Sequence, residues 1–316
     1  MTADPVTLGT AGHVDHGKTA LVRALTGVET DRLAAERERG ISIELGYAPL
    51  VLPGGRQVSV IDVPGHERFV RTMVAGATGI DAFLMTIAAD DGVMPQTREH
   101  AAVLRALDVR RGLVAVTKAD LADPEPALAE AEELLPGVAS VAVSVRTGVG
   151  LDELRAALAA LVETLPPRAA GSGGPAVLHV DRAFTIRGAG TVVTGTLWSG
   201  EVARGEELVL LPRGLRVRVR GVQVHDEPRD RAAAGQRVAV NLAGIARRDV
   251  ARGDVLAGAG APVRATHVID AALDFGAQRE REPEHGVRVA VHHGTREAPA
   301  RLHRLGGRFW QIRLER

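Results

Sequence analysis

One eight-residue loop limits the fold more than any other stretch of the sequence. It reads GHVDHGKT over residues 12–19 and matches the pattern G-x-x-x-x-G-K-[ST]. The apolar run VTLGTAG at 6–12 predicts a strand before the loop, and a helical pattern follows it at 18–25. A strand that enters a helix through a glycine loop is typical of an α/β domain with a mainly parallel sheet.

Buried strands alternate with helices through the rest of the first half. Apolar runs predict strands at 58–63, 82–89, 113–116 and 138–144. Helical patterns occur at 96–107, 126–135 and 151–161. We therefore predict one α/β domain over residues 1–165, with loops that follow the carboxyl ends of its strands.

The residue pattern of the sequence changes after this domain. The segment PPRAAGSGGP at 166–175 has the composition of a linker. Short alternating strands such as LRVRVRGVQV follow it, which predicts an all-β barrel domain over 176–261. The remaining residues, 262–316, are few for a complete barrel, and we predict a partial β-barrel there.

Composition excludes several classes of protein. The chain has no cysteine, so disulfides and thiolate metal sites are excluded. No apolar run approaches the ~20 residues that span a bilayer, and the first nine residues are unlike a signal peptide, which predicts a cytoplasmic protein without a membrane partner. Net charge is −8 through residue 165 and +8 beyond it. This asymmetry fits either a polyanion partner or uneven surface charge.

Lysine is nearly absent, and its two positions are therefore informative. Of 39 basic residues only Lys18 and Lys118 are lysine, and the others are arginine. We expect both at places where a compact ammonium is needed instead of a guanidinium fork.

The glycine loop predicts a phosphate site. Backbone N–H groups at the start of a helix bind phosphates, and the helix dipole favours the anion. Lys18 would reach the β- and γ-phosphates, and the Thr19 hydroxyl would bind magnesium. The other residues predicted to line this site are Gly12, His13, Val14, Asp15, His16 and Gly17.

Three further motifs follow strand ends. In DVPGH (62–66), Asp62 can hold magnesium through water and the Gly65 N–H can sense the γ-phosphate. In TKAD (117–120), Asp120 can accept hydrogen bonds from guanine N1–H and the 2-amino group, which adenine does not offer. The order of the motifs favours GTP over ATP. In SVRTG (144–148), Ser144 carries most of the weight as a residue of the last base-contacting loop. The remaining residues predicted near the base are Thr117, Lys118, Val145 and Arg146.

Together GHVDHGKT, RGISIE, DVPGH and MPQTREH resemble the translational GTPases of the elongation factor Tu type. The resemblance implies that His66 orients the attacking water and that Val14 and Ile41 gate its approach. It implies magnesium ligation by Thr19, Asp62 and Ser42, where Ser42 replaces the family's threonine. It also implies a monovalent cation near Asp15.

Within this group, DRAFTIRGAGTVVTGTLWSGEVARGEEL at 181–208 resembles the selenocysteine-specific elongation factors, as do AGQRVAVNLAGI at 234–245 and the short segment 26–48. The resemblance implies a monomeric GTPase that carries selenocysteinyl-tRNA to the ribosome. It implies an aminoacyl pocket at Asp181, Arg182 and Arg237, in which arginines favour a selenolate anion over the neutral serine precursor.

Full-length members of this group continue into winged-helix repeats that bind a messenger RNA hairpin. Nothing before Arg316 predicts a winged helix, so the hairpin partner is expected to need a C-terminal region that this chain lacks. Two alternatives stay open. One is another aminoacyl- or initiator-tRNA carrier of the same architecture, and the other is a nucleotide-binding module without delivery activity.

Overall fold

The computed structural model describes residues 5–31, 45–64, 79–166, 174–225, 227–275 and 282–315. Four of the predicted site residues lie outside these ranges: Ile41, Ser42, Gly65 and His66. Most of the predicted linker, residues 167–173, also lies outside them.

A six-stranded sheet forms the first half of the molecule. Its strands, in spatial order, are β2 (Gly46–Val51), β3 (Gln57–Asp62), β1 (Val6–Gly12), β4 (Ala82–Ala88), β5 (Gly112–Thr117) and β6 (Ser140–Ala142). Every neighbouring pair is parallel except β2 with β3. The sequence did not predict β2. This strand contains Pro49, which is tolerated because β2 lies at the edge of the sheet.

Helices cover both faces of this sheet. They are α1 (Lys18–Thr26), α2 (Pro95–Ala106), α3 (Glu125–Leu134) and α4 (Leu151–Thr164). Leu21 of α1 and Leu158 of α4 belong to the core on one face. Leu104 of α2 and Ala131 of α3 belong to the core on the other face. The predicted α/β domain is confirmed as a sheet between two helical layers.

A closed antiparallel barrel follows. Its strands, in spatial order, are β10 (Glu207–Leu211), β15 (Val255–Ala257), β7 (Val177–Ile186), β8 (Gly190–Ser199), β14 (Arg237–Ala243) and β11 (Leu215–Val224). Pairing of β10 with β11 closes the ring, because it joins the first strand to the last. The short strand β12 (Glu227–Arg229) pairs with β11, and β9 (Glu201–Ala203) pairs with β13 (Arg231–Ala233).

A smaller four-stranded sheet ends the described chain. Its order is β16 (Val268–Ala272), β19 (Phe309–Leu314), β18 (Arg296–Gly306) and β17 (Arg288–His293), all antiparallel. Its core is small: Trp310 is fully buried and Phe275 packs edge-on against it. The predicted fold class, an α/β domain followed by β-structure, is therefore confirmed. The exact domain boundaries stay predictions.

None of the helices in the described ranges is long and apolar enough to cross a membrane.

Candidate functional site

The carboxyl ends of four neighbouring parallel strands meet at one edge of the α/β sheet. Gly12 ends β1, Asp62 ends β3, Ala88 ends β4 and Thr117 ends β5. In open α/β sheets, ligands bind outside the carboxyl ends of the strands, where the loops that follow the strands can surround a molecule. Three of the nucleotide motifs predicted from the sequence start at the ends of β1, β3 and β5.

Gly12 must be glycine for two reasons. Its φ of +127° lies in a region that L side chains rarely adopt, and an added Cβ would lie 2.3 Å from the carbonyl oxygen of Thr86. The Gly12 N–H donates to Nδ1 of the buried His100, at 2.9 Å. Neighbouring strand β4 and helix α2 thus fix the backbone where it leaves β1.

Lys18 is buried at the first position of α1. Its Nζ donates to the carbonyl oxygens of Gly12, at 3.1 Å, and His13, at 2.6 Å. Burial lowers its pKa to about 8, although the carboxylates of Asp62 and Asp15 raise it. A buried ammonium whose acceptors are neutral carbonyls favours a nearby anion.

The start of α1 also favours an anion. Its N-cap, Gly17, provides no side chain to bond the free N–H groups, and the first turn contains no acidic residue. The helix dipole and these amides therefore face the loop without a competing carboxylate. The structure brings Lys18 and these N–H groups together as the sequence predicted, and the set fits a phosphate.

Asp62 is buried at the end of β3 and accepts three hydroxyl hydrogen bonds. Thr10 donates to Oδ1 at 3.0 Å, while Thr19 and Thr30 donate to Oδ2 at 2.8 and 2.7 Å. Burial raises its pKa, and these hydroxyl groups lower it. The predicted ligands Thr19 and Asp62 are thus in contact. Their hard oxygen atoms suit Mg²⁺. The sequence analysis missed Thr10 and Thr30.

The predicted base site lies at the next strand ends. Asp120 accepts from the Ser144 hydroxyl at 2.5 Å and from Nε of Arg146 at 2.7 Å. The Ser144 hydrogen bond, more than that of Arg146, lowers the pKa of Asp120. The carboxylate therefore stays an acceptor, as guanine requires. Val145, between the two partners, is partly buried.

Two further contacts join the base loop to its surroundings. The Thr117 hydroxyl donates to the carbonyl oxygen of His16 at 2.8 Å, which ties the base loop to the phosphate loop. Lys118 adopts a φ of +57°, and its ammonium lies 3.1 Å from Asp90 and 3.6 Å from Asp91. Its stem is thereby held beside the loop.

The three residues predicted for an aminoacyl pocket lie close together on the barrel. Arg237 of β14 donates to both carboxylate oxygens of Asp181 on β7, at 3.0 and 3.1 Å. Burial would lower the pKa of Arg237, but Asp181 and Tyr47 together outweigh it and the net shift is upward. The pairing of β7 with β8 shifts between Val180 and Arg182, a bulge that lets neighbours share one side of the strand.

Tyr47 of the α/β domain completes this cluster. Its hydroxyl donates to Asp181 at 3.1 Å, and the Arg237 guanidinium lies 3.3 Å from the centre of its ring. Arg182 donates to the carbonyl oxygen of Leu45 at 2.6 Å. Burial raises the pKa of Tyr47, so its hydroxyl keeps its proton. The predicted pocket residues therefore lie at the junction of the two domains, and Tyr47 was not predicted.

Comparison with known proteins agrees with this geometry. The family model for the elongation factor Tu GTP-binding domain matches residues 4–167, and that for elongation factor Tu domain 2 matches residues 190–257. The chain is 46% identical over 306 residues to a selenocysteine-specific elongation factor of Desulfomicrobium baculatum, which covers 94% of this chain and 48% of the relative. The chain thus spans about half the length of the curated relatives it matches.

Two solved structures are also similar. A crystal structure of a bacterial selenocysteine-specific elongation factor, EF-Sec, matches with a TM-score of 0.88 and 32% identity, over 99% of this chain and 54% of that one. The elongation factor SelB of Methanococcus maripaludis, in complex with the GTP analogue GppNHp, matches with a TM-score of 0.87 and 26% identity. That match covers all of this chain and 73% of the other.

The buried histidines beside the phosphate loop should make stability depend on pH. Burial lowers the pKa of His100 to about 3, far below the ordinary value of 6.5. Between these values the unfolded chain binds more protons, so the free energy of unfolding falls as the pH drops below 6.5. The variant His100→Gln keeps an acceptor for the Gly12 N–H. Between about pH 7 and about pH 5 its free energy of unfolding should fall by about 2 kcal/mol less than that of the parent.

Urea unfolding followed by circular dichroism at the two pH values measures this difference. The variant His267→Gln, at an exposed position, is the matched control and should lose as much stability as the parent. An equal loss in the parent and in His100→Gln would contradict the assignment of His100 as a neutral, buried acceptor.

Proposed function

Because the chain belongs to the family of elongation factor Tu GTP-binding domains, we propose that it binds GTP and GDP with Mg²⁺ and hydrolyses GTP to GDP and phosphate. The proposal rests mainly on one observation. A buried lysine, a threonine–aspartate pair and a carboxylate able to accept hydrogen bonds from guanine lie together at one edge of the sheet. These groups are Lys18, Thr19 with Asp62, and Asp120.

Each group has a separate task in this proposal. Lys18 and the N–H groups of the loop bind the phosphates, while Thr19, Asp62 and Ser42 hold the metal ion. Magnesium, when bound, supplies positive charge that neutralises the phosphate oxygens. Asp120 selects guanine, and Ser144 and Arg146 keep its carboxylate oriented.

We further propose that the chain is the GTPase part of a factor that carries selenocysteinyl-tRNA to the ribosome, with GTP hydrolysis driving release. The identity with selenocysteine-specific elongation factors supports this specialisation. The cluster of Asp181, Arg182 and Arg237 also supports it, because a selenolate is an anion that guanidinium groups favour. A messenger RNA hairpin would bind through a region outside residues 1–316. We propose a monomer that acts in the cytoplasm.

This cluster lies where the two domains meet, which indicates how the proposed pocket would recognise an amino acid. Asp181 neutralises much of the Arg237 charge and orients its guanidinium over Tyr47. Arg182 is held at Leu45, which lies inside the segment 26–48 that resembles the first switch of the selenocysteine-specific factors. An aminoacyl group would therefore meet side chains of both domains. We propose that Asp15, His66, Val14 and Ile41 keep the roles given by the resemblance: cation binding, water positioning and gating.

Base selection tests the nucleotide site. In Asp120→Asn the amide can donate to the 2-oxo group of xanthine but no longer accepts from both the N1–H and the 2-amino group of guanine. The ratio of GTP to XTP affinity should fall by at least about 100-fold, since hydrogen bonds to a charged group are lost. Competition binding with a fluorescent nucleotide measures it. The exposed Asp152→Asn should keep the parent's ratio, and an unchanged ratio in Asp120→Asn would reject the base site.

Hydrolysis tests the role of His66. His66→Ala should bind GTP as the parent does and should lower ribosome-stimulated hydrolysis by at least about 100-fold, the effect of losing a group that positions water. Single-turnover hydrolysis with and without ribosomes measures this, with the exposed His267→Ala as control. Equal stimulated rates would reject His66, and a parent without stimulation would reject the ribosome-dependent reaction for this chain.

Binding of two tRNAs tests the pocket. Arg182→Ala and Arg237→Ala should each weaken selenocysteinyl-tRNA binding by about tenfold or more, because each removes a charge-assisted contact. Seryl-tRNA binding should barely change. Protection of both tRNAs in GTP at one ionic strength measures the difference, with the exposed barrel variant Arg204→Ala as control. Equal losses for both tRNAs would make the arginines phosphate contacts and would favour a general tRNA carrier.

A further inference from the structure

Thr30 is a buried threonine to which the proposed function gives no role. It lies four residues beyond the end of α1 and is only 4% exposed. Its hydroxyl donates to Oδ2 of Asp62 at 2.7 Å. Among the hydrogen bonds to Asp62, this one comes from the segment that leads into residues 32–44, whereas Thr10 and Thr19 come from β1 and α1.

The hydroxyl groups around Asp62 nearly saturate its carboxylate. An ionised carboxylate offers about four acceptor positions, two on each oxygen. Thr19 and Thr30 fill the two positions on Oδ2, and Thr10 fills one on Oδ1. None of the described residues fills the second position on Oδ1, so the three donors fix both the rotation of the group and the direction from which a metal-bound water can donate.

Thr30 is also enclosed by packing. A Cβ added to Gly46 would lie 2.5 Å from Cβ of Thr30 and 3.1 Å from Cβ of Asp62. The absence of a side chain at this position of β2 therefore lets Thr30 approach the carboxylate. A hydroxyl held this closely loses little further freedom when it makes its hydrogen bond, so the contact should be well formed.

We propose that Thr30 is a positioning residue of the magnesium site: its hydroxyl orients Asp62 and fastens the start of the first switch segment, 26–48, to that carboxylate. This inference rests on the proposed binding of GTP and GDP with Mg²⁺. Without the hydroxyl, Asp62 loses one of two donors on Oδ2 and the switch segment loses its link to the metal site. Magnesium should then hold GDP less firmly.

Release of a fluorescent GDP analogue from the full chain, measured over a Mg²⁺ titration and in excess EDTA, tests this. Thr30→Val keeps the shape and removes the hydroxyl, and Thr30→Ser keeps the hydroxyl. Thr97→Val is the matched control, since Thr97 is a buried threonine on α2 whose hydroxyl makes no hydrogen bond to the described residues. Thr30→Val should need about tenfold more Mg²⁺ to slow release, the effect of one hydrogen bond to a charged group.

Thr30→Ser and Thr97→Val should follow the parent at every Mg²⁺ concentration, and all four proteins should release GDP equally fast in EDTA. A Mg²⁺ midpoint in Thr30→Val equal to the parent's would overturn the inference. Faster release in EDTA, or a Thr30→Ser variant that behaves like Thr30→Val, would also overturn it by showing a packing role. A parent that binds no GDP would instead reject the proposed function, and the inference with it.

Discussion

A buried carboxylate organises the nucleotide end of this molecule. Asp62 lies at the end of β3, and removing its charge from water is costly unless donors satisfy it. Three threonines from three different segments supply those donors. Each of these segments must therefore reach the end of β3, and the strand order of the parallel sheet makes this possible.

The same sheet edge explains why distant motifs form one site. Strands β1, β3, β4 and β5 are parallel neighbours, so the residues that follow them lie side by side although up to about a hundred positions separate them. The Thr117 hydroxyl on the carbonyl of His16 is an example, because it joins the base loop to the phosphate loop across the carboxyl end of β4. Motifs that are far apart along the sequence therefore lie side by side at one edge of the sheet.

The sequence predicted the fold class, and it named most of the residues that the structure brings together at the sheet edge, because those features have local signals. Glycine spacing, apolar strands and motif residues such as Lys18 and Asp120 can be read within a few positions. Thr30 and Tyr47 could not be found in this way. Each has its main partner far along the chain, at Asp62 and Asp181 respectively, and a lone threonine or tyrosine carries no pattern. Strand β2 was not predicted because Pro49 interrupts its strand pattern. A proline is compatible with a strand at the edge of a sheet, and only the structure shows that β2 lies there.

The cluster of Asp181, Arg182 and Arg237 was predicted as three residues but not as an arrangement. Sequence neighbours on a strand usually point to opposite faces, which argues against a shared contact for Asp181 and Arg182. The bulge in β7 removes this restriction, and both side chains reach the segment from Leu45 to Tyr47. Such a bulge depends on how β7 pairs with β8, and pairing is a property of the folded sheet.

The stacking of Arg237 on Tyr47 has a mechanical consequence. The guanidinium is shared between a carboxylate of its own barrel and an aromatic ring of the neighbouring domain. Pulling the two domains apart at this point would expose the ion pair to water and break the hydroxyl contact of Tyr47. The buried hydrogen bond from the Thr7 hydroxyl to the carbonyl oxygen of Gly235 joins the same two domains elsewhere, so the resistance to separation is spread over more than one contact.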